Sequence, residues 1–533
     1  MKKLLQYVML TAALPAFGWN VGTEVTKRSA VLEEYTGIHC PNCPDGHRMA
    51  AELARNHPDE VFVVSIHAGS FATPKYGELN YITTEGQAIH DRYDISGYPS
   101  GVISRRDNGF GVNISRSLWG SSAREVTAKD SPVNLYAACT YDAATRGLTV
   151  NIEGYYTADM TDPRLTVFLM QNNILGPQDG GKRGVEYPHR HMLRDVLTEN
   201  VFGDAINVKT AGQYFSKDIK VTLPADIDGV KLEPYDIEIM AFVAEGEGEI
   251  VKAARCFPQV EAEATAPRIF DCTLPSIPIG SNYALDYLEM AVDNYSGDAL
   301  TSASFDFTLN DKPYKLEWTG SVPAHEHATI QIPLDGAIKT VFDNDDNKYS
   351  IKCRAFNGKD PALETSTYKG KFSKLFSYPS ELTFKIKTDV DAADNTYRII
   401  DEQGNTVKEF GPYPNGEDKV YEESVSLEPG KVYGLEIADK WGDGIFRPRG
   451  SVKIYGPGSA LVGQLMEIDN YGLRTFFTAY DAASAADITA AATVVSEAYY
   501  DLSGRRLAAG ARGLGICRRV MSDGTVTVTK TNK

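Results

Sequence analysis

Residues 33–67, EEYTGIHCPNCPDGHRMAAELARNHPDEVFVVSIH, decide the fold. Ahead of the two cysteines, RSAVLEEYTG alternates weakly and reads as a strand with Val31 and Leu32 inside. After them, Met49, Ala50, Leu53 and Ala54 recur at helical spacing. Pro41 falls where a first helical turn tolerates a missing N–H, and Pro58 disfavours helical geometry at His57. VFVVSIH then forms a continuous apolar run, as in a strand buried on both faces of a parallel sheet. The order predicts a β–α–β unit with Cys40 and Cys43 at the helix N-terminus.

That position has chemical consequences. Unpaired N–H groups and the helix dipole stabilise a thiolate there. Cys40, expected to be the more exposed sulfur, would attack and Cys43 would resolve. Three readings compete: a redox dithiol, an inert staple and a metal clip. Zinc needs four ligands, usually a second CxxC or a histidine pair. The sequence has no second CxxC, and a helix start aims His39 and His47 apart. The pattern favours a dithiol or disulfide over a metal.

Downstream, TTEGQAIHDRYDISGYPSGVISR (83–105) supplies a second helix ending near Tyr93, then a Gly97–Tyr98–Pro99 turn before Val102 and Ile103. Strand, CxxC helix, strand, helix and Tyr-Pro strand in this order resemble the thioredoxin fold. In that fold such a proline is cis, lies beside the CxxC helix and leaves the preceding backbone free for a substrate strand. The resemblance implies a thioredoxin-like α/β domain over residues 25–129, with Cys40, Cys43, Tyr98 and Pro99 as its site.

VLEEYTGIHCPNCPDGHRMAAEL (31–53), SIHAGSFATP (65–74) and EYPHRHMLRDVL (186–197) together resemble the Omp28-related outer-membrane proteins of Bacteroidetes, over about residues 25–260. The resemblance implies an exported protein associated with the outer membrane, at the cell surface or in the periplasm. It implies no particular substrate.

A chain of 533 residues exceeds what one hydrophobic core supports, so about three to five domains are expected. Its net charge of −17 argues against nucleic acid, whose phosphates demand clustered Lys and Arg. Residues 1–18 read as a signal peptide: Lys2 and Lys3, an apolar run from Leu4, then small residues before Trp19. No later run is long and apolar enough to span a bilayer. Export would place the seven cysteines where disulfides persist, and an odd number leaves one without an intrachain partner.

From residue 130 short alternating strands dominate: GLTVNIEGYYT, RLTVFLMQNN, KDIKVTLP, YDIEIMAFVAE and EIVKAARCF. They predict a β-sandwich over 130–266, in which Cys139 and Cys256 could pair. Strands over 267–375 resemble an immunoglobulin-like module, with Cys272 and Cys353 as a second candidate bridge. His189 and His191 read as packed or solvated rather than metal-bound. Residues 376–480 form a further β unit. Its DKWGDGI (439–445) resembles a turn of secreted jelly-roll-like modules. Asp439 and Asp443 there suit calcium, a hard cation that takes six to eight oxygens; the alternative is a turn held by its own Asx hydrogen bonds. An Ala-rich linker (481–493) precedes a module at 494–533. Within it, YYDLSGRRL (499–507) and GTVTVTK (524–530) resemble the C-terminal sorting modules of type IX secretion. Cys517 is the candidate odd thiol.

The expected architecture is thus multidomain, an α/β thioredoxin-like unit followed by several all-β units. No cofactor is required, and calcium at the acidic turn is the one candidate. Two functions compete. One is thiol–disulfide exchange with envelope or surface proteins and peptides. The other is a non-enzymatic surface, adhesion or structural role, in which the β units meet a glycan or protein and the CxxC pair is a structural disulfide.

Overall fold

The computed structural model describes residues 19–258 except 108, 110 and 182–186, then residues 270–273, 494–500, 514–521 and 526–532. It also describes residues 287–482, apart from 335–337, 339–346, 362–364, 373–374, 417–418, 445–449, 466–467 and 469–470. The expected signal peptide and most of the linker lie outside the described residues, as do the side chains of Cys272 and Cys517.

The first elements follow the pattern of the decisive stretch. β1 (Ala30–Thr36), α1 (Cys43–Asn56), β2 (Val61–His67), α2 (Thr84–Arg92), β3 (Ser100–Ile103), β4 (Asn113–Ile114) and α3 (Trp119–Thr127) succeed one another. β1 runs parallel to β2 and antiparallel to β3, which pairs antiparallel with β4. The spatial order is β2-β1-β3-β4. α1 buries Cys43, Gly46, Ala50 and Leu53, the i, i+3, i+4 stripe that puts one helix face on the sheet. Its C-cap is His57, just before Pro58. Thr83 caps α2 by accepting from the Gly86 amide, 3.0 Å away.

β5 (Val133–Asp142), β6 (Gly147–Tyr156), β7 (Pro163–Gln171), β8 (Ile174–Gly176), β9 (Tyr187–His189), β10 (Met192–Val196), β11 (Asp204–Ala205), β12 (Tyr214–Thr222), β13 (Asp226–Ile227), β14 (Val230–Lys231), β15 (Ile237–Glu245) and β16 (Ile250–Cys256) follow. The boundary expected between residues 129 and 130 does not separate two sheets. One sheet runs β16-β15-β7-β10-β2-β1-β3-β4, with β10 bridging the halves through Met192 opposite Ser65. The cause is legible in β7 and β15, which are buried along nearly their whole length. Leu165, Val167 and Leu169 face the β12-β6-β5 sheet, in a core shared with Val150 and Ile152. Phe168 and Met170 point the other way, into a core with Val31, Tyr35, Val64, Ile66 and Ile89. A strand used on both faces belongs inside a covered sheet rather than in a sandwich wall facing water.

From residue 270 on, the described elements are strands, apart from short 3-10 turns at Ala392–Asp394 and Pro457–Ser459. Strands 287–294 and 327–333 pack against a sheet of strands 312–322, 300–309, 347–356 and 367–372 around Phe305, Phe307 and Trp318. Two further sheets over 376–480 enclose Phe384, Tyr397 and Phe477. Strands 494–500, 514–521 and 526–532 form a separate antiparallel sheet. The two central β units fold back onto α1. Arg55 holds Asp293 in a bidentate pair at 2.9 and 2.5 Å, and His57 stacks on Trp441 with ring centroids 3.7 Å apart.

Candidate functional site

Cys40 lies in the turn that enters α1, its amide bonded to the Gly37 carbonyl at 3.0 Å. Asn42 is the N-cap, and its side chain makes no capping bond. Pro41 precedes the cap rather than occupying the first turn, where Pro44 stands instead. Cys40 is 1% exposed and Cys43 0%, so the expected exposure of Cys40 is absent. The segment before β9 covers it. Gln178 Nε2 donates to the carbonyls of Gly37 and Cys40 at 3.2 and 3.0 Å, and the Asp179 amide donates to Ile38 O at 2.8 Å. This cover comes from 138 to 141 residues away in sequence, and no local pattern announced it.

The two sulfurs are unequal. A hydrogen bond from the Cys43 thiol, aided by the amides of Asn42 and Cys43 and by Arg116, brings the Cys40 thiol down to about 7 against the cost of burial. Cys43 is pushed far up, because it gives its proton to Cys40 and is itself buried. Such an asymmetry suits one thiolate nucleophile beside a protonated neighbour.

Pro99 sits against the first turn of α1. A Cβ at Gly46 would come within 2.7 Å of Pro99 Cβ and 2.8 Å of Glu34 Oε1, so only glycine permits this approach. The Tyr98–Pro99 bond is cis. Tyr98 bonds His90 Nε2 at 2.6 Å; burial, then the nearby Cys43 charge, pushes its phenol up to about 12. The four residues picked from sequence are therefore neighbours.

Under the helix lies a cluster that the sequence reading missed. Glu34 is 1% exposed, accepts from Ser65 Oγ at 3.2 Å, and is raised to about 8 by burial, with the Cys40 charge adding to the rise. His47 follows Cys43 by one helical turn and so shares its face. Its Nε2 meets Thr36 Oγ1 at 2.8 Å and its Nδ1 meets the Tyr187 hydroxyl at 2.8 Å. Burial, then His189 and Arg190, bring His47 down to about 3. Glu34, His47, Ser65, His67, Tyr187 and His189 line a cavity of about 50 Å³. One usable signal existed in the sequence: His47 stands at i+4 from Cys43, on the same face of the expected helix. His39 turns the other way, to Glu78 at 2.9 Å, as the helix-start argument expected.

At the acidic turn, Asp439 accepts from the amides of Trp441 and Gly444 at 2.9 and 2.7 Å. Burial and the adjacent Asp443 charge raise it to about 7. Asp443 faces Arg124 of α3 at 3.4 Å, and the same guanidinium meets Asp394 at 2.7 Å and Asp391 at 3.0 Å. The cation gathered by this turn is Arg124. Among the described residues, no group of three or more His, Cys, Asp or Glu side chains is placed to hold a metal ion. Elsewhere, the Cys256 thiol is raised first by a hydrogen bond with Cys139 and then by burial, so these two candidate partners adjoin.

A family described as "Outer membrane protein Omp28" matches residues 86–259. The match begins on α2, and so leaves out Cys40 and Cys43. No curated protein matches the chain. Among solved structures, HBP35 of Porphyromonas gingivalis is 18% identical, over 65% of this chain and 98% of its own, with a TM-score of 0.34. A red sea bream transglutaminase is 12% identical, over 48% of this chain and 34% of its own, with a TM-score of 0.15. Among the described residues no helix is long and apolar enough to cross a membrane. The Omp28 match supports an exported, outer-membrane-associated address.

Proposed function

We propose that the N-terminal unit is thioredoxin-like and that the protein exchanges thiols and disulfides with exported proteins or peptides. The strand order β2-β1-β3-β4, with the dithiol entering α1 and Pro99 against its first turn, supports the fold reading. The observation that carries the chemistry is the placing of Cys40 and Cys43 at the entry of α1 with Pro99 against its first turn, and the lowered Cys40 thiol beside the raised Cys43 agrees with it. Cys40 thiolate attacks a substrate disulfide, one substrate sulfur leaves as thiolate and takes up a proton, and a mixed disulfide remains. Cys43 then loses its proton and attacks Cys40. The second substrate thiol is released and the Cys40–Cys43 disulfide forms. The substrate gains the two electrons that the dithiol loses.

One observation favours the rival, non-enzymatic reading: Cys40 is buried beneath Gln178. In that reading the pair is a structural disulfide and the β units meet the ligand. Replacing Cys43 with Ser separates the two. Under exchange chemistry, Cys43→Ser accumulates partner proteins disulfide-bonded to Cys40 in the cell envelope, and the further change Cys40→Ser abolishes them. An empty trap, with a Cys40–Cys43 potential below about −300 mV, would establish the structural role.

A further inference from the structure

The dithiol turn gives three carbonyls to the segment that follows β8. Gln178 Nε2 spans those of Gly37 and Cys40 at 3.2 and 3.0 Å, and the Asp179 amide donates to Ile38 O at 2.8 Å. The Asp179 carboxylate lies 3.7 Å from His39 Nδ1, and Lys75 Nζ stands 3.3 Å from the same nitrogen. Gly180 has φ +74°, and a Cβ there would strike the Pro41 carbonyl. The segment therefore presses on the backbone between the two cysteines. It leaves Cys40 1% exposed, and Gln178 is itself 4% exposed. A chain that lies along another and gives N–H groups to its carbonyls binds as an extended peptide does.

This segment is lightly anchored. It hangs from β8 and β9, which among the described strands pair with each other alone, and a two-stranded ribbon is marginally stable by itself. Ile174 packs in a small core with Ile38, Tyr81, Met192 and Val230, while Leu175 beside it is 43% exposed. The bonds from Gln178 and Asp179 can break without disturbing the ladder of the nine-stranded sheet. Segments held by few apolar contacts open locally at low cost.

We propose that residues 177–181 are a strap that holds the place of a substrate peptide and lifts before Cys40 reacts. The inference rests on the exchange reading above and names the substrate as an extended peptide. Main-chain N–H groups of that peptide take over the carbonyls of Gly37, Ile38 and Cys40 as the strap leaves. The burial of Cys40 is then a property of the resting chain rather than a bar to its chemistry.

The test uses the full chain, reduced, with iodoacetamide as the probe. At about pH 9, above the titration of Cys40 at about 7, alkylation of Cys40 reports access rather than ionisation. It is read by mass spectrometry of the Cys40 peptide. Gln178→Ala removes both side-chain bonds to the turn and should speed this alkylation about tenfold, with deuterium exchange at the Asp179 amide rising in step. Gln178→Glu keeps the length but loses the donor and should do the same. Cys139, 7% exposed in the core of the same unit, should stay unmodified, which separates lifting of the strap from unfolding. A second arm loads Cys40 of Cys43→Ser with a cysteine peptide. The peptide is supplied as its mixed disulfide with an aromatic thiol, which leaves as thiolate. The Asp179 amide should then exchange about tenfold faster than in the unloaded chain. Equal alkylation in the parent and both Gln178 variants, Cys139 labelled in step with Cys40, or an Asp179 amide still protected in the loaded chain overturns the strap. Faster alkylation in the variants with no peptide captured by any chain keeps the strap as a cover over Cys40 and overturns the exchange reading.

Discussion

The dithiol turn and the acidic turn at 439–444 pack against the same helical layer, and both were picked from sequence as places for chemistry. They differ in how their polar groups are satisfied. At the acidic turn, Asp439 takes two backbone amides and Asp443 faces Arg124. Each carboxylate is closed off by a donor from the fold, as in a staple between units. At the dithiol, Glu34 Oε1 and both ring nitrogens of His67 are buried without a hydrogen-bonding partner within the protein. Burying such groups costs stability. The acidic turn is closed by the fold's own donors, whereas the dithiol cluster keeps buried polar atoms for which the protein supplies no partner.

The largest expected effect tests the staple. Trp441 is 4% exposed, stacks on His57, and shares a core with Leu32, Leu53 and Trp119 of the first unit. Trp441→Ala should cost about 3–5 kcal/mol, seen in the denaturant midpoint of the first unit. A loss confined to the 376–480 unit would mean that the contact joins nothing.

Glu34→Gln tests the open site, and its sign is opposite. The Glu34 carboxyl goes from 4.5 to about 8 on folding. Between those pH values the folded state holds a proton that the unfolded state lacks. Stability is therefore full below about pH 4.5 and is lost as pH rises through about 8. Gln cannot ionise, so the variant should match the parent in acid and exceed it by on the order of 4 kcal/mol at pH 8. A parent whose stability rises between pH 5 and 8, with no relative gain in the variant, would show that the folded chain holds Glu34 as a carboxylate.

The local part of this contrast was legible in sequence. The β1–α1–β2 order, the end of α2 near Tyr93 and the tight Tyr98–Pro99 turn follow from apolar periodicity and proline placement, which act over a few residues. The continuous sheet was not read, although RLTVFLMQ and IEIMAFV carried the signal, since strands apolar on both faces call for cover on both sides. Gln178 over Cys40, Tyr187 on His47 and Arg124 among the aspartates were not legible. Each contact joins segments from more than 130 to more than 300 residues apart, and neither partner has a local pattern that names the other. MLRDV (192–196) is strand β10 because its residues pair with β7 and β2.

Removing the staple's cation is a smaller perturbation. The Arg124 side chain is 18% exposed and serves Asp391, Asp394 and Asp443, so water already screens part of the interaction. Arg124→Ala leaves three carboxylates without their counter-charge and should cost about 2 kcal/mol. Arg124→Lys should retain part of it, because a point charge replaces the fork that reaches several oxygens at once. The difference in melting midpoint between the two variants measures what the fork adds.

The smallest effect decides between calcium and arginine at this turn. Calcium takes six to eight oxygens, and in the folded chain the carboxylates it would use already face a guanidinium. Millimolar calcium should therefore move the melting midpoint of the parent by less than about 1 °C. In Arg124→Ala the same carboxylates lack a cation, and calcium at about ten times its dissociation constant should restore roughly 1.4 kcal/mol. Magnesium, which demands tighter octahedral geometry, should restore less. Equal stabilisation of parent and variant would mean that calcium binds beside Arg124 rather than in its place. The acidic turn would then be a second open site, and the contrast with the dithiol would fail.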